Sequence, residues 1–587
     1  MVITGTANKR VWFPLYGEKM LNFYDFEVFE YDWLVVIINP YEKTIEKIHN
    51  DEMLLELYYE RHKNEVWVGY NNKHYDQYIM KAILCGFNPK KVNDFIIKEK
   101  KDGWRFSDIF RKIPMINFDV MNKMDGGLKS LEGFMGNDIR ETSVPFDIDR
   151  PLTSEEIEET FKYCQHDVEQ TIEVFLNRID EFNTMMHFIR HFNLPLSRLS
   201  KTKPLLAAEI LGGNSKKFND EFQFPILECI QLKKYKYIAD WYKNPVNHDY
   251  SKRQKDVMVA GVPHTFSWGG GHGAIPKYHD TGIFIISDVT AYYPSLQQKY
   301  KFGYRIMNNP ENFEFIHGSN IKYKLAGDKK ARQPFKIMDN AISGQLKQKT
   351  SIMYDPMSNN SICVNGQLLL LDLIEHLEPY VDLVQNNTDG IIFKVRDYER
   401  DFDTIDDIVY EWEQRTGMKM EFDTFFGEIF QKDVNNYCLI DHETGAAKCK
   451  GGYLKKLSAL DYDLPIVNKA LNNYMIHGIS IEQTVNECDS LMEFQKIVKL
   501  SSKYKRAWHN GKPLQEKCFR VFASLNDSDG YIGKQKTDGA TVEKFANTPD
   551  QCFIFNDSVK GVKVPEKLNK KWYIDLAEKR LKQFGVI

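Results

Sequence analysis

The length, composition and charge of the chain exclude several classes of protein. Its 587 residues are enough for three to five domains at about 100 to 200 residues each. With 42% hydrophobic and 27% charged residues, the whole chain is expected to fold. The 78 Lys and Arg against 82 Asp and Glu leave a net charge of −4, so any contact with nucleic acid must use local basic patches.

The cysteines and the apolar segments argue against a secreted or membrane protein. The nine Cys residues are scattered from Cys85 to Cys552 without a CxxC pair, so we expect reduced, mostly buried thiols rather than zinc sites or a disulfide framework. No apolar run approaches the roughly 20 residues of a membrane helix, and the N-terminus lacks the apolar stretch of a signal peptide. The sequence therefore predicts a cytoplasmic protein without membrane contact.

Changes of pattern along the chain predict its organisation. Residues 1–185 are typical of an α/β unit, with strands near 23–29 and 34–38 and a long helix across 155–182. Polar, Pro-punctuated sequence follows as a linker and helical connection, and a Gly-rich stretch then opens a second unit with strands near 283–287 and 391–395. The expected blocks after the first are residues 186–262, 263–455 and 456–587.

Three short segments of the first block carry acids that a strand or a helix would present on one face. A strand's period of two places Asp25 and Glu27 together, and Asp76 is expected in a first helical turn. Tyr163 and Asp167 are four residues apart and share a helix face. Taken singly, each acid is explained by a solvated strand face or a helix N-terminus. Together, four carboxylates and a tyrosine can hold two divalent metals and position a water for attack on a phosphodiester.

The ordered set DxE, NxxYD and YxxxD resembles the proofreading 3′–5′ exonuclease domain attached to DNA polymerases, over about residues 15–185. The resemblance implies an RNase H-like fold for this block. It implies that Asp25, Glu27, Asp76 and Asp167 bind Mg²⁺ or Mn²⁺. By the same resemblance, Tyr163 orients the nucleophilic water.

A second pair of acids is placed by a strand and a hairpin. The apolar run 283–287 predicts a buried strand that ends at Asp288, and Pro294 predicts a turn or a first helical turn soon after it. Residues 382–385 and 391–395 predict a hairpin that presents Asp389, with Gly390 at positive φ in its tip. Acids at a strand end and at a hairpin turn can meet across a sheet and bridge two metals about 3.5 to 4 Å apart.

These segments, DVTAYYPS and NTDG, resemble the palm motifs of family B DNA polymerases. The resemblance implies that Asp288 and Asp389 are the principal metal ligands and that the Val289 carbonyl completes a site. It also implies that Tyr293 packs beneath the sugar and selects deoxynucleotides. Asn387 stands where an Asp is usual. Together with KDVNNY at 432–437 and KCKGGY at 448–453, NTDG is similar to small phage and prophage members of the family.

Between the two motifs, KIMDNAISG at 336–344 resembles the fingers-helix motif KxxxNSxYG, with Ser343 in the place of the usual Tyr. Lys336, Asn340 and Ser343 would share one helix face. Lys336 is expected to hold the triphosphate and to offset charge on the leaving pyrophosphate, and the alternative is a solvated helix lysine. Arg332 could assist from one turn earlier, but Pro334 is expected to begin the helix and to leave it in a loop.

Contacts to the DNA are expected from cations after the palm. Residues 499–520 hold seven Lys and Arg against one acid, Glu516, which matches a thumb that grips primer and template, with a solvated surface as the alternative. By resemblance, Tyr437 and Lys450 contact the primer strand. The stretch 268–271, Trp-Gly-Gly-Gly, resembles the YxGG loop between the exonuclease and polymerase halves, and a tight turn is its alternative reading.

The sequence thus predicts an α/β multi-domain protein with an RNase H-like exonuclease domain and a right-hand polymerase of family B type, its short fingers at about 310–350. The predicted activity is primer extension by a DNA-dependent DNA polymerase with 3′–5′ proofreading and two Mg²⁺ in each site. Expected partners are primer–template DNA and deoxynucleoside triphosphates, with a processivity factor or primase as candidates. We expect a monomer, in the bacterial host cytoplasm if it is phage-encoded. An exonuclease with a decayed polymerase half and a non-enzymatic DNA-binding replication factor stay open as alternatives.

Overall fold

The protein is described here from a computed structural model, which covers residues 21–214, 218–539 and 541–586. The segment 1–20, for which no signal peptide is predicted, lies outside these described residues. Contacts between residues divide the chain into two compact units, and each is described by itself. The first comprises Met1–Thr202, Leu457–Asp463 and Ser490–Leu568, and the second comprises Lys203–Lys456, Leu464–Asp489 and Asn569–Ile587.

The N-terminal part of the first unit is a five-stranded mixed sheet covered by helices. The strand order is β3-β2-β1-β4-β5, in which β1 is antiparallel to β2 and parallel to β4. Every residue of β2 is buried, which is why it reads as a continuous apolar run. The elements are β1 (Leu21–Val28), β2 (Trp33–Asn39), β3 (Thr44–His49), α1 (Glu52–His62), β4 (Val66–Gly69), α2 (Asp76–Leu84), α3 (Pro89–Ile97), β5 (Ile116–Asp119), α4 (Leu128–Phe134), α5 (Ser154–Asn177) and α6 (Ile179–His191).

The long helix predicted across 155–182 is wrong in one respect, because the structure has two helices there. Thr153 and Glu156, whose spacing in the sequence predicts a capping box, form one at the start of α5. The first helix ends at Arg178, whose φ of −114° and ψ of 17° leave the helical region. Its guanidinium donates to both carboxylate oxygens of Asp125 at 2.7 Å, so a contact distant in sequence fixes the break.

The second unit is built on a nine-stranded sheet in the order β14-β13-β12-β9-β11-β10-β8-β7-β6, and its paired strands are antiparallel. The helix α12 is buried along almost its whole length and packs against α9, α13 and the sheet. The elements are α7 (Lys203–Ile210), α8 (Lys236–Lys243), β6 (Arg253–Val259), β7 (Val262–Ser267), β8 (Gly270–Ala274), β9 (Tyr278–Val289), α9 (Tyr292–Lys299), α10 (Pro310–Leu325), α11 (Lys329–Ser343), α12 (Pro356–Leu377), β10 (Val381–Asn386), β11 (Gly390–Val395), α13 (Tyr398–Thr416), β12 (Met420–Asp433), β13 (Asn436–Asp441) and β14 (Ala447–Lys450).

The remaining elements divide between the units. The first unit holds a three-stranded sheet, β15-β18-β21, and a four-stranded sheet, β17-β16-β19-β20, and the helices belong to the second unit. They are α14 (Pro465–His477), α15 (Ile481–Glu487), β15 (Lys496–Lys499), β16 (Tyr504–His509), β17 (Lys512–Leu514), β18 (Cys518–Ala523), β19 (Gly533–Lys536), β20 (Val542–Lys544), β21 (Cys552–Ile554) and α16 (Lys570–Leu581). Short 3₁₀ helices span Gly103–Arg105, Asp108–Lys112, Leu196–Ser200, Pro245–Asn247, Tyr304–Ile306, Leu491–Phe494 and Lys582–Phe584.

Two general expectations from composition can be compared with the described residues. No helix within them is both long enough and apolar enough to cross a membrane. The expectation of reduced cysteines is wrong for one pair, because Cys438 and Cys449 lie directly opposite each other in β13 and β14 and form a disulfide. Cys164, Cys363, Cys518 and Cys552 are buried free thiols, as expected.

The predicted cationic run 499–520 is only partly a surface. Arg520 is fully buried in β18, and Lys499 donates to the carbonyl of Gly126. Burial lowers the pKa of Arg520 to about 10. The guanidinium instead joins distant segments of the first unit, donating to Gln495 Oε1 and to the carbonyl oxygens of Gly133, Asn137, Phe555 and Asp557. Besides Lys499, which is also exposed, five cations of the run are exposed: Lys503, Lys505, Arg506, Lys512 and Lys517.

Replacing the buried guanidinium tests its structural role. We expect Arg520→Gln to lower the stability of the first unit by about 2 to 4 kcal/mol, because several buried carbonyl oxygens would lose their donor. Lys505→Gln removes an exposed cation from the same run and is expected to cost under about 0.5 kcal/mol. Thermal unfolding of both variants measures the difference. Equal melting temperatures would contradict a structural role for Arg520.

Candidate metal centres

The first carboxylate cluster lies where β1, α2 and α5 of the first unit meet. Asp25 and Glu27 project from one face of β1, and ligand atoms of these two residues and of Cys164 lie within 4.8 Å of one another. Asp76 is the first residue of α2, and its Oδ1 accepts a hydrogen bond of 3.2 Å from the backbone N–H of Phe26. The helical position predicted for Asp76 is therefore confirmed.

Burial and mutual repulsion raise the pKa values of the acids in this cluster. Burial, then Asp76 and Glu27, raise the pKa of Asp25 well above its usual value. The pKa of Glu27 is raised well above its usual value by burial and then by Asp167 and Asp76, and burial raises the pKa of Asp76 to about 7. Carboxylate oxygens are the ligands that Mg²⁺ and Mn²⁺ prefer, so the donor set fits a divalent ion.

A lysine that the sequence did not single out completes the cluster. Lys129 in α4 donates to Asp167 Oδ1 at 2.8 Å and to Glu132 Oε2 at 3.1 Å. Its ammonium also lies 4.7 Å from the ring centre of Tyr163. Burial and then Asp167 raise the pKa of Tyr163 well above its usual value. The sequence signal was a Lys and a Glu three residues apart, which is too common to be informative.

The second carboxylate cluster lies at one end of the nine-stranded sheet. The predicted strand ends with Asp288 in β9, and β10 and β11 form the predicted hairpin. Asp288 lies opposite Gly390 in the β9–β11 pairing, and the Val289 N–H donates to the Asp389 carbonyl at 2.7 Å. Asp288 and Asp389 are thus neighbours at one end of the sheet.

The expectation that Gly390 adopts positive φ is wrong, since it is absent from the described residues with that conformation. A glycine is required there for a different reason. A Cβ at Gly390 would clash with Asp288 Oδ1 and lie 2.6 Å from the carbonyl oxygen of Ser287. The missing side chain therefore lets the hairpin approach the strand that carries Asp288.

Charged residues from β12 and β14 surround these two acids. Lys448 lies 3.4 Å from Asp288 Oδ2 and 2.9 Å from Asp423 Oδ2. Glu421 lies opposite Asp288 in the β9–β12 pairing and contacts Lys324 and the hydroxyl of Thr290. Burial raises the pKa of Asp288, Lys448 opposes the shift, and Asp389 adds to it. The signal for these acids was Glu-Phe-Asp at 421–423, an acidic-x-acidic triplet like the one in β1.

The fingers-motif residues lie on α11, but the helix begins earlier than predicted. Asp328 caps it by accepting a hydrogen bond of 2.9 Å from Ala331 N–H, so Pro334 lies inside the helix and the expectation of a loop at Arg332 is wrong. Arg332 acts from this helix on Glu421. Burial raises the pKa of Glu421, but hydrogen bonds from Lys324 and Thr290 and the charge of Arg332 lower it overall. Lys336 and Asn340 are exposed, and Ser343 is half-buried.

The other predicted substrate residues lie around the same acids. Burial, then Cys363 and Asp389, raise the pKa of Tyr293. Tyr437 belongs to the core beneath the sheet, with 5% of its surface exposed, and burial followed by Asp288 and Asp389 raises its pKa. Lys450 is exposed and lies opposite Tyr437 in the β13–β14 pairing. Their contacts with DNA, and a metal contact of the Val289 carbonyl, stay predictions.

A set of polar contacts joins α9 to α10 and α11. His317 Nδ1 lies 2.9 Å from Asp339 Oδ2, which also accepts from Asn320 at 2.9 Å. The other ring nitrogen of His317, Nε2, lies 3.4 Å from the hydroxyl of Ser295. Arg332 donates a hydrogen bond to Asn320. These contacts fix α11 against the segment that follows Asp288.

No protein-family model and no curated protein matches the chain. Among solved structures, the fold is similar to the family B DNA polymerase from the hyperthermophilic archaeon Pyrobaculum calidifontis, with 11% sequence identity and a TM-score of 0.41. The similarity covers 97% of this chain and 78% of that chain.

The close approach at Gly390 gives a test of the second cluster. We expect Gly390→Ala to displace Asp288 and to lower bound Mn²⁺ from about four ions to about two, since each cluster has carboxylates for a two-metal site. Gly318→Ala is the control, because a Cβ there meets nothing within 4 Å and alanine suits its helix. Electron paramagnetic resonance counts the bound Mn²⁺. Unchanged stoichiometry in Gly390→Ala would contradict a metal site at Asp288.

Proposed function

We propose that the protein is a DNA-dependent DNA polymerase with a 3′–5′ proofreading exonuclease. The observation that carries the proposal is the pair Asp288 and Asp389, brought together by a strand end and a hairpin turn. A second, separate carboxylate cluster around Asp25 supports the exonuclease. In this proposal the five-stranded sheet belongs to an RNase H-like domain, and the nine-stranded sheet is the palm of a right-hand polymerase of family B type.

The polymerase chemistry would take place at Asp288 and Asp389. When bound there, two Mg²⁺ would activate the primer 3′-hydroxyl and neutralise charge at the α-phosphate and the leaving pyrophosphate. Lys448 would give up its contact with Asp288 when the ions bind, because a divalent cation offsets the carboxylate charge more fully. Lys336, with Arg332 on the same helix, would hold the triphosphate. Tyr293, beside Asp389, would pack beneath the sugar and exclude a 2′-hydroxyl.

Asn340 would act in the same nucleotide site, because it is exposed one turn after Lys336 on α11. An amide there can donate to a phosphate oxygen. Lys450 and Tyr437 would contact the primer strand, and five of the exposed cations of the run 499–520 would contact the DNA backbone. We further propose primer–template DNA and deoxynucleoside triphosphates as substrates of a monomer, with a processivity factor or primase as partner.

The exonuclease chemistry would take place at Asp25, Glu27, Asp76 and Asp167. Bound divalent ions would supply a hydroxide nucleophile and stabilise the leaving 3′-oxygen. Tyr163 keeps its proton over the working pH range, because its pKa is raised, so its hydroxyl can donate to or orient the water. Lys129 holds Asp167 and lies over the Tyr163 ring, so it positions both groups.

Two substitutions separate the two activities and the alternatives. We expect Asp389→Asn to reduce nucleotide addition at least about 1,000-fold, because one of the two shared metal ligands is lost, while 3′-end trimming continues. Asp25→Ala should have the opposite effect. Primer extension and trimming of one labelled oligonucleotide measure both. Trimming without extension in the unmodified protein would favour an exonuclease with a decayed polymerase half. A lack of both, with DNA binding kept, would favour a replication factor.

The lysine of the exonuclease cluster can be tested separately. We expect Lys129→Gln to slow 3′-end trimming by about 100-fold, since Asp167 would lose its cation and Tyr163 its neighbour, and to leave primer extension unchanged. Lys162→Gln, on the same helix as Tyr163 but 71% exposed, is the control. Trimming at the unmodified rate in Lys129→Gln would show that Lys129 has no part in positioning these groups.

A further inference from the structure

A basic cavity beside the outermost strand of the nine-stranded sheet has no role in the chemistry described above. It has a volume of 470 Å³ and is lined by Trp241, Asn247, Ser251, Lys252, Arg253 and Lys255. The chain is acidic overall, yet residues 233–255 hold seven Lys and Arg against two Asp. The cavity therefore concentrates positive charge on a protein whose average charge would repel a polyanion.

Two of the cations at this cavity are available for a ligand. Arg253 and Lys255 are exposed residues of β6, and both line the cavity. Neither has an ion-pair or hydrogen-bond partner in the part of the chain that the structure describes. Lys252, by contrast, donates to the carbonyl of Val246. The nearby acids Asp240, Asp249 and Asp256 do not line the cavity.

An aromatic wall stands beside these cations. Trp241 in α8 is partly exposed and is supported from behind by Trp268 at 6.1 Å and Tyr242 at 5.0 Å between ring centres. The Trp268 N–H donates to the Asn247 carbonyl, and the Asn247 amide donates to the Trp241 carbonyl. The indole is therefore held in place, and a supported indole beside two unpaired cations is the usual arrangement for stacking a base while binding its phosphates.

The sheet connects this cavity to the second carboxylate cluster. Arg253 lies opposite Ser267, which lies opposite Gly270, and a Cβ on Gly270 would be 3.8 Å from the hydroxyl of Thr388. Thr388 precedes Asp389 in the hairpin. At about 4.8 Å per strand, three strand spacings separate Arg253 from the hairpin tip by about 15 Å. A single strand leaving the proposed active site could span that distance with a few nucleotides.

We propose that this cavity binds single-stranded DNA without regard to sequence, with phosphates on Arg253 and Lys255 and a base stacked on Trp241. Its role as a contact for the unpaired template rests on the proposed polymerase function. Binding of a single strand does not, because it needs neither metal nor nucleotide. An open cavity with two exposed cations beside the indole favours recognition of the backbone over recognition of one base.

The site is tested by measuring the affinity of the full chain for a labelled 20-nucleotide oligo-dT in EDTA, by fluorescence anisotropy. We expect Arg253→Gln with Lys255→Gln, and separately Trp241→Ala, to weaken binding about tenfold each, and Trp241→Phe to restore most of the loss. The double variant should make the slope of log K against log salt less negative by about 1.4, for two lost phosphate contacts. The control, Lys63→Gln with Lys571→Gln, makes the same charge change at two lysines outside the cavity, which pair with Glu60 and Asp575.

Other outcomes would overturn the proposal. If the cavity variants bind oligo-dT as tightly as the control, the site is not a DNA contact. If only the cation variants lose affinity, or if polyglutamate competes as well as unlabelled oligo-dT, the occupant is an acidic partner and the stacking model is wrong. Melting temperatures must match the control, and Trp241→Phe covers the case in which Trp241→Ala fails to fold.

Primer extension separates a failure of this site from a failure of the proposed function. On a template with a long overhang, the cavity variants should raise the KM for DNA about tenfold and leave the KM for nucleotide unchanged. On a one-nucleotide overhang they should match the control. A protein that binds oligo-dT as expected but never extends a primer would contradict the polymerase proposal and support the single-strand site.

Discussion

Repulsion between neighbouring carboxylates, buried in the first cluster and partly exposed in the second, is the constraint that both clusters must satisfy. Two like charges about 4 Å apart interact unfavourably by about 4 kcal/mol at an effective dielectric constant of 20, and each cluster brings several together. Lys129 lies among the acids of the first cluster, and in the second Lys448 lies beside Asp288 while Lys324 pairs with Glu421. These monovalent cations are fewer than the carboxylates around them, and the raised pKa values of Asp25 and Asp288 follow from burial and from the neighbouring acids. A divalent cation is the natural way to relieve the repulsion, so the geometry favours metal binding in both places.

Local features were predictable from the sequence because they depend on near neighbours. The period of two in β1 predicted that Asp25 and Glu27 share a face, and the spacing of Thr153 and Glu156 predicted the capping box. Features that depend on residues distant in sequence could not be predicted in this way. The end of α5 depends on Asp125, 53 residues from Arg178, and the burial of Arg520 depends on carbonyl oxygens up to 387 residues away. A run of cations in the sequence could not reveal that one of them is buried and hydrogen-bonds several distant segments.

The same distinction holds within the clusters. The sequence identified acids at strand ends and helix starts, since periodicity and motif order point to them. It missed Lys129 and Lys448, which reach their acids from 38 and 160 residues away. It also gave the wrong reason for Gly390, since turn propensity concerns the glycine's own backbone and the requirement comes from Asp288 on the neighbouring strand. Cross-strand register is long-range information, and single-sequence patterns contain little of it.

Asn387, which stands where the palm motif that this segment resembles has an Asp, bears on whether the second cluster has decayed. Its backbone N–H donates to the Gly390 carbonyl at 2.8 Å, and its side-chain oxygen accepts from Thr388 N–H at 2.8 Å, so the residue closes the hairpin turn. Its side chain also hydrogen-bonds His272, a contact that raises the pKa of that histidine against the lowering effect of burial. An Asp could make the backbone contacts as well, but it would add another negative charge beside Asp389 and Asp288. An amide keeps the turn without that repulsion, and the two acids at the strand end and hairpin stay in place. The substitution therefore removes charge near the cluster without dismantling it, which favours an active second site over a decayed one.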